Sequence, residues 1–184
     1  EKLLLVPVGD YLPYIFRWPA RIINKKWVEE VENSRGYQKG REVNLLSGEG
    51  VFSGAVLLCY ESVSPLFYRQ AAQKGAEVFF NLGSLAFASG SHTLDAQTMA
   101  MLQFRAAENG RYLVRATNFG KSYIINERGN IIKITPDLEN QVIFGEAKLF
   151  SQKTLYTKFG DWVLVLVGII LLTFCLTRVI LKKG

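Results

Sequence analysis

The sequence predicts an α/β domain of layered sheets in residues 1–160, followed by one transmembrane helix in residues 161–181. Three observations predict this architecture. Apolar runs of strand length alternate with segments of helical spacing, and a hairpin pattern follows them. Residues 162–177 contain no charged side chain. The chain has 184 residues, which is enough for one domain and too few for two comfortable ones.

The first part of the domain is interrupted by turns. Residues 3–6 are an apolar run stopped by a proline and a glycine, which predicts a short buried strand. Residues 10–50 predict a loop-rich segment with one short helix at about residues 25–33. Residues 55–58 are continuously apolar, so we expect a buried strand that ends at Cys59.

The rest of the domain carries helix and turn signals. Ser64 and Pro65 supply a cap and a first-turn proline for one helix, and Gly75 ends it. Ser91 or Thr93 caps a second helix. In order, the predicted elements are a helix at residues 65–74, a strand at 78–81, a helix running to 109, strands at 112–116 and 122–125, a turn at 127–130 and a strand at 131–134.

The apolar C-terminal segment is long enough to cross a bilayer, which takes roughly 20 helical residues. Arg178 lies near the end of this segment and can extend its charge to the headgroups, while Trp162 suits the opposite interface. The alternative, a buried core helix, does not explain an apolar surface on every side. Basic residues favour the cytoplasmic side, so residues 182–184 form a cytoplasmic tail and residues 1–160 lie on the other side.

Composition and charge exclude several functional classes. The net charge is +6, from 22 basic and 16 acidic residues, but no concentrated basic stripe indicates nucleic-acid binding. The two cysteines cannot make a disulfide framework, because Cys175 lies inside the apolar run. With one histidine, His92, the chain offers no metal-ligand set, and no glycine-rich phosphate loop is present. We therefore expect no metal and no cofactor.

Cys59 is the strongest candidate for chemistry on position alone. It follows a buried strand and comes shortly before a helix, a junction that can lift one side chain out of the sheet edge. Glu61, two residues further on, can hold a lysine or assist proton transfer. The alternative is that Cys59 is a small core residue. The sequence Ser89-Gly-Ser-His92 with Asp95 does not make a triad, because triad members normally come from separate elements.

Three motifs resemble one known family. The segment Lys2-Leu-Leu-Leu-Val-Pro-Val-Gly-Asp10 is similar to the lysine segment of the carbon–nitrogen hydrolases, in the form found in bacterial lipoprotein N-acyltransferases. Leu57-Leu-Cys-Tyr-Glu-Ser62 resembles the nucleophile motif of that family, and residues 104–120 resemble the stretch that follows it. The resemblance implies the C-terminal part of a nitrilase-like α-β-β-α sandwich, here followed by a membrane helix.

The resemblance also implies roles for individual residues. The family uses a glutamate, a lysine and a cysteine, of which Lys2 and Cys59 match the last two. The general-base glutamate belongs to a strand before the lysine, so we expect residues 1–184 alone to be incomplete as a catalyst. Glu61 matches an acidic residue beside the catalytic group, and Tyr60 and Asp10 match residues around the pocket.

One loop departs from the family pattern. Where the family typically has Asn-Asp-Ala-Trp-Phe-Gly, residues 84–89 are Ser-Leu-Ala-Phe-Ala-Ser. The pocket residue Phe87 thus takes the place of the tryptophan, and Thr98 is at a position where the family commonly has a histidine. The implied activity is transfer of an acyl chain from a phospholipid, through a cysteine thioester, to the N-terminal amine of a diacylglyceryl lipoprotein. The implied place is the bacterial inner membrane, with the domain on the periplasmic side. The alternatives are an amidase that uses water and an inactive membrane-tethered relative.

Overall fold

A computed structural model of the chain describes residue 3 and residues 14–26, 28–29, 40–48, 50–86, 91–136 and 141–181. The helices are α1 (Tyr14–Ile23), α2 (Pro65–Lys74), α3 (His92–Asn109), α4 (Leu155–Phe159) and α5 (Trp162–Leu181), with a 3₁₀ turn at Cys59–Val63. The strands are β1 (Leu45–Gly48), β2 (Phe52–Leu58), β3 (Val78–Gly83), β4 (Tyr112–Thr117), β5 (Tyr123–Ile125) and β6 (Ile131–Ile134).

The described strands form one six-stranded sheet in chain order from β1 to β6. Strands β2, β3 and β4 are parallel, and the outer pairs β1–β2, β4–β5 and β5–β6 are antiparallel. The parallel pairs need crossover connections, which α2 and α3 supply. Since parallel strands run in one direction, the carboxyl ends of β2, β3 and β4 meet at a single edge of the sheet.

The two crossover helices begin and end where the sequence predicts. Helix α2 spans Pro65–Lys74, and Gly75 ends it at φ 106°. Helix α3 begins after Ser91, whose hydroxyl accepts the backbone N–H of Leu94 at 3.3 Å, so Ser91 and not Thr93 is the cap. Gly110 ends α3 at φ 62°. Both end glycines adopt the left-handed conformation that other residues rarely adopt.

The core lies between the sheet and the two crossover helices. Alternate residues of each strand point to one face and pack against α2 and α3, as a period of two requires. The buried hydrophobic residues of this cluster include Ala55, Leu57, Tyr68, Ala71, Ala72, Phe79, Leu102, Ala106, Leu113, Tyr123 and Ile125. The second face carries a smaller cluster of Val78, Tyr112 and Ile124, against which Ile143, Ala147 and Phe150 pack. In the described part of the chain, no strand belongs to the second sheet of the predicted sandwich.

Several elements differ from the sequence-based expectation. Helix α1 and strand β1 were not anticipated, because their sequences lie in the stretch read as loop-rich. Of the helix expected at residues 25–33, residues 25–26 and 28–29 are helical, and position 27 and positions 30–33 lie outside the described residues. The strand expected at residues 3–6 also lies outside them, except for Leu3, which is in a bend.

Short helix α4 fastens the C-terminal segment to the domain. The guanidinium of Arg69 donates to the carbonyl oxygens of Tyr156, Thr157 and Lys158 at 3.0 to 3.2 Å. Gln73 adds a bond to the Thr157 carbonyl at 2.9 Å. These side chains of α2 satisfy the carbonyl groups that a helix leaves unpaired at its end. The chain therefore leaves the domain from a fixed position before α5 begins.

Helix α5 covers Trp162–Leu181, one residue fewer than the helix expected at residues 161–181. Among the residues described here, no helix has both the length and the apolar character needed to cross a membrane.

Candidate active site

The predicted nucleophile lies at the edge where the parallel strands end. Cys59 follows directly after β2, and its neighbours across the sheet come from the last residues of β3 and β4. The register pairs Leu58 with Leu82 and Gly83 with Thr117. In open α/β sheets, ligands bind outside this carboxyl edge. The fold therefore brings the Cys59 thiol to the position where an α/β sheet usually carries its chemistry.

The backbone of Cys59 is strained. Its φ is 47°, a left-handed conformation that few non-glycine residues adopt. This conformation costs an L residue about 1–2 kcal/mol. It makes a sharp step from strand β2 into the 3₁₀ turn, the kind of strand-to-helix junction that exposes a nucleophile. Cys59 is half-buried and its thiol is free.

Gly83 packs directly beneath this step. A Cβ atom on Gly83 would lie 3.2 Å from the Cα and 3.6 Å from the Cβ of Cys59. The first of these distances is tighter than ordinary van der Waals contact, and its partner is backbone, which cannot turn aside. The end of β3 thus approaches Cys59 so closely that a side chain at position 83 would displace it.

Glu61 is buried and uses both carboxylate oxygens on backbone groups. Its side chain is 2% exposed. Oε2 accepts the N–H of Leu58 at 2.6 Å, and Oε1 accepts the N–H of Leu3 at 2.5 Å. Hydrogen bonds to an ionised acceptor are among the stronger ones in proteins. Glu61 therefore ties the end of β2 to the residue that follows Lys2 in the chain.

The other predicted site residues divide into two groups. Tyr60 is described, and its side chain is 45% exposed at the start of the 3₁₀ turn. Lys2, Asp10 and Phe87 lie outside the described residues. Their predicted roles as catalytic lysine and pocket residues therefore stay predictions.

The histidine motif does not form a triad. His92 is exposed and is the first residue of α3. Asp95 is in the same turn, and Ser89 lies outside the described residues. Asp95 instead faces the loop after β4, since a Cβ on Gly120 would lie 3.1 Å from its Oδ1.

Sequence reasoning missed two buried polar residues under Cys59. Asn81 on β3 is fully buried, and Arg115 is its partner in register on β4. Arg115 Nη1 donates to Asn81 Oδ1 at 2.5 Å. The side-chain nitrogen of Asn81 lies 3.2 Å from the carbonyl oxygen of Leu57 and 3.5 Å from that of Cys59. A polar residue inside an otherwise apolar strand was the available signal for both positions.

Tyr68 completes this buried group. Its hydroxyl oxygen lies 3.4 Å from the Asn81 nitrogen and its ring packs edge-on against Phe79. Burial raises the pKa of Tyr68 well above its usual range, outweighing the opposite effects of Asn81 and Arg115. The phenol therefore stays neutral at physiological pH and offers a lone pair to the amide.

The loop that departs from the family pattern packs against its neighbour. Leu85, in the loop after β3, donates its backbone N–H to the Phe119 carbonyl at 3.2 Å. Phe119 and Gly120 both have positive φ, at 117° and 106°. A Cβ on Gly120 would lie 2.9 Å from Leu85 Cδ1, so the glycine permits this close approach. The two loops form one wall at the carboxyl edge of the sheet.

Comparisons with known proteins agree with this geometry. Residues 25–151 match the carbon-nitrogen hydrolase family. The chain is 36% identical over 179 residues to an apolipoprotein N-acyltransferase of Synechocystis sp., covering 92% of this chain and 31% of the relative. It is 32% identical over 162 residues to an apolipoprotein N-acyltransferase of Geobacter metallireducens, covering 88% and 29%. The chain thus spans about a third of the length of the curated relatives it matches.

Solved structures show the same fold. A cysteine-to-serine variant of an amidase of the nitrilase superfamily from Nesterenkonia superposes with a TM-score of 0.51 at 20% identity, covering 73% of this chain and 45% of the amidase. The α/β, nitrilase-like fold and the resemblance drawn from three sequence motifs are both confirmed. The family match covers more than half of the residues. This chain therefore belongs to the carbon–nitrogen hydrolase family.

Proposed function

We propose that this chain is part of a membrane-bound N-acyltransferase that completes bacterial lipoproteins, with Cys59 as its nucleophile. The observation that carries the proposal is the strained Cys59 at the carboxyl edge of the sheet, tied through Glu61 to the segment that contains Lys2. The relatives named apolipoprotein N-acyltransferase, which align over about nine tenths of this chain, supply the reaction.

The reaction has two half-reactions that share one covalent intermediate. In the first, the Cys59 thiolate, whose proton the general base holds, attacks the ester carbonyl of a phospholipid, the C–O bond breaks, and the base passes its proton to the lysophospholipid alkoxide that leaves. In the second, the α-amine of a diacylglyceryl cysteine attacks the thioester, the C–S bond breaks, and the amide forms. The amine proton leaves through the general base and the Cys59 thiolate is restored. No oxidant, reductant or cofactor enters either step.

Groups of this chain and a general base act around this intermediate. The Lys2 ammonium and the backbone N–H of Tyr60, directly after the nucleophile, donate to the oxyanion of each tetrahedral intermediate. Glu61 keeps the lysine segment beside β2 through its bond to Leu3. The general base is a glutamate that has no match among the residues of this chain. Tyr60, Asp10 and Phe87 line the acyl pocket.

The membrane is where both lipid substrates reside, and α5 is the proposed anchor. Its backbone is helical over 20 residues, Trp162–Leu181, about 30 Å at the usual helical rise. Four apolar residues near its end have side chains outside the described part of the chain, and the sequence adds them to the apolar run: Leu176, Val179, Ile180 and Leu181. The catalytic domain is on the periplasmic side and residues 182–184 are in the cytoplasm.

Helix α1 offers a second contact with lipid. Ile15, Trp18 and Ile22 are 68 to 76% exposed and lie on one side of the helix, at spacings of three and four residues. Exposed Arg21, three residues after Trp18, flanks this stripe and suits anionic headgroups. A short helix of this kind lies in the interface plane and does not cross the bilayer.

The test is an assay of the whole protein in nanodiscs that contain phospholipid with a labelled acyl chain. With a diacylglyceryl peptide as acceptor, we expect the labelled acyl chain on the peptide amine and a lysophospholipid product. A Cys59→Ala variant is the control and should transfer none. Label released only as free fatty acid, at the same rate with and without the peptide, would show a hydrolase. No label lost from the phospholipid would favour the inactive reading.

A further inference from the structure

We infer that Asn81 is a positioning residue for the nucleophile, because its side-chain amide holds the Cys59 backbone in the left-handed conformation while Arg115 fixes the direction of that amide. The inference rests on the proposed role of Cys59. Neither residue contacts substrate in this account. Each acts through the backbone beneath the thiol.

The direction of the Asn81 amide follows from its partner. An asparagine side chain has an oxygen that accepts and a nitrogen that donates, and the two ends are nearly the same size. A guanidinium has only N–H donors. Since Arg115 Nη1 lies 2.5 Å from one end of the amide, that end must be the oxygen Oδ1. The nitrogen must therefore face the carbonyl groups of Leu57 and Cys59 and the hydroxyl of Tyr68, which share its two N–H groups.

Arg115 is itself held in place. It is 2% exposed and lies beside Asn81 in the register of β3 and β4. Its guanidinium carbon lies 5.8 Å from the centre of the Tyr123 ring, and that ring is buried. A charged donor with a face on an aromatic ring has little freedom to turn. Burial also excludes water, which would otherwise compete for the Asn81 oxygen.

The Asn81 nitrogen spans the step at which the strand ends. Leu57 is in regular β2, whereas Cys59 has φ 47°, and the single amide reaches the carbonyl of each at 3.2 and 3.5 Å. A strained backbone persists only where its surroundings hold it. The amide favours the left-handed step because that step turns the Cys59 carbonyl toward the amide. Gly83 leaves room for the step and Asn81 holds it.

Asn109 provides a matched control within the same chain. Like Asn81 it is fully buried, and its amide also joins two elements, donating to the Arg105 carbonyl at 3.0 Å and accepting from Thr157 at 3.1 Å. It lies at the end of α3, away from the nucleophile. The alanine variants, Asn81→Ala and Asn109→Ala, therefore remove the same amide at equal burial. The aspartate variants, Asn81→Asp and Asn109→Asp, replace the amide N–H₂ donor with an oxygen that only accepts.

The experiment measures two reactions of Cys59 in the whole protein, each well below the Tm of the variant. The first is single-turnover acylation by p-nitrophenyl butyrate. We expect both Asn81 variants to lower the acylation rate about tenfold or more with little change in the apparent KM, since misplacement by about 1 Å costs catalysis up to about 10²-fold. Both Asn109 variants should stay within about twofold, whatever their Tm. Arg115→Lys, which keeps the charge but loses the rigid fork, should give an intermediate loss.

The second reaction is alkylation by iodoacetamide, resolved by peptide and referred to a cysteine placed after Lys183 in the same molecule. It needs no acyltransferase activity, so it separates the two proposals. We expect Asn81→Ala to change the ratio of the Cys59 rate to this reference rate about threefold or more and Asn109→Ala to leave it unchanged. If the wild-type chain is not acylated but this ratio changes, the proposed function fails and the positioning role stands. Equal ratios and equal acylation rates for the Asn81 and Asn109 variants would overturn the positioning role.

Discussion

The Glu61 carboxylate accepts the backbone N–H of Leu3 at 2.5 Å, across 58 residues of sequence. Its other oxygen accepts the N–H of Leu58 at 2.6 Å. One buried side chain thus joins the segment of the predicted catalytic lysine to the strand that carries the predicted nucleophile. Sequence alone indicated an acidic residue near Cys59, but it did not indicate that both oxygens would bind backbone.

Glu61→Gln should separate these two segments. Glutamine keeps one acceptor and turns an N–H₂ group toward the other backbone donor, so one bond is lost and a repulsion is added. We expect a loss of about 1.5–3 kcal/mol in the free energy of unfolding and at least 10²-fold in acyl transfer. Denaturant unfolding and the nanodisc assay measure the two effects.

Glu77→Gln is the control for this substitution. Glu77 also accepts a backbone N–H, that of Ser53 at 2.9 Å, but it lies at the far end of the strands. It should cost stability without a comparable loss of transfer. Equal losses of transfer in both variants would mean that Glu61 contributes only to folding.

Gly83→Ala should misplace the nucleophile by sterics alone. Gly83 does not have a positive φ, so alanine brings no backbone strain of its own. Its methyl group would lie 3.2 Å from Cys59 Cα, and we expect a loss of about 10²-fold in acyl transfer. Gly168→Ala on α5, where nothing lies within 4 Å of the added Cβ, should change transfer little. Retained activity in Gly83→Ala would show that the site tolerates movement of Cys59.

Glu108 should make a pH-dependent contribution to the free energy of unfolding. Burial raises its pKa above the ordinary 4.5, and Asp161 adds to the shift while Arg105, whose guanidinium is 3.3 Å away, opposes it. The folded state therefore holds the proton more tightly, and this contribution is present below pH 4.5 and lost as the pH rises through the raised pKa. Glu108→Gln should remove that fall in the free energy of unfolding.

Unfolding measured across a pH series checks this prediction. Glu29→Gln is the control, since the Glu29 side chain is 53% exposed in its pair with Lys25. The wild type and Glu29→Gln should lose stability in parallel as the pH rises from 4.5, and Glu108→Gln should lose less. Parallel curves for all three proteins would mean that the folded state does not retain the Glu108 proton.

The orientation of α5 is tested by labelling from one side. A cysteine placed after Lys183 should resist a membrane-impermeant thiol reagent in intact spheroplasts, because the proposal puts residues 182–184 in the cytoplasm. Cys59, on the outer side, should be open to the same reagent. Labelling after Lys183 with protection of Cys59 would reverse the orientation and remove the periplasmic reaction.

Sequence anticipated the elements whose signals are local. The caps and glycine stops of α2 and α3 give their bounds closely, and the turn at residues 127–130 gives the β5–β6 hairpin. Helix α1 was missed because Pro19 lies inside it and suggests a loop. The support of Cys59 could not be foreseen either. Asn81, Gly83 and Arg115 reach it only through the register of three parallel strands, which no short sequence pattern specifies.

The covalent intermediate tests the central claim most directly. The whole protein, incubated with phospholipid and no acceptor, is quenched in acid and its mass is measured intact and by peptide. We expect one added acyl group, on the peptide that contains Cys59, removed by hydroxylamine and by the diacylglyceryl peptide. Cys175→Ala should acylate like the wild type, and Cys59→Ala should not acylate. An acyl adduct that persists in Cys59→Ala, or transfer to the peptide without any adduct on Cys59, would contradict the account.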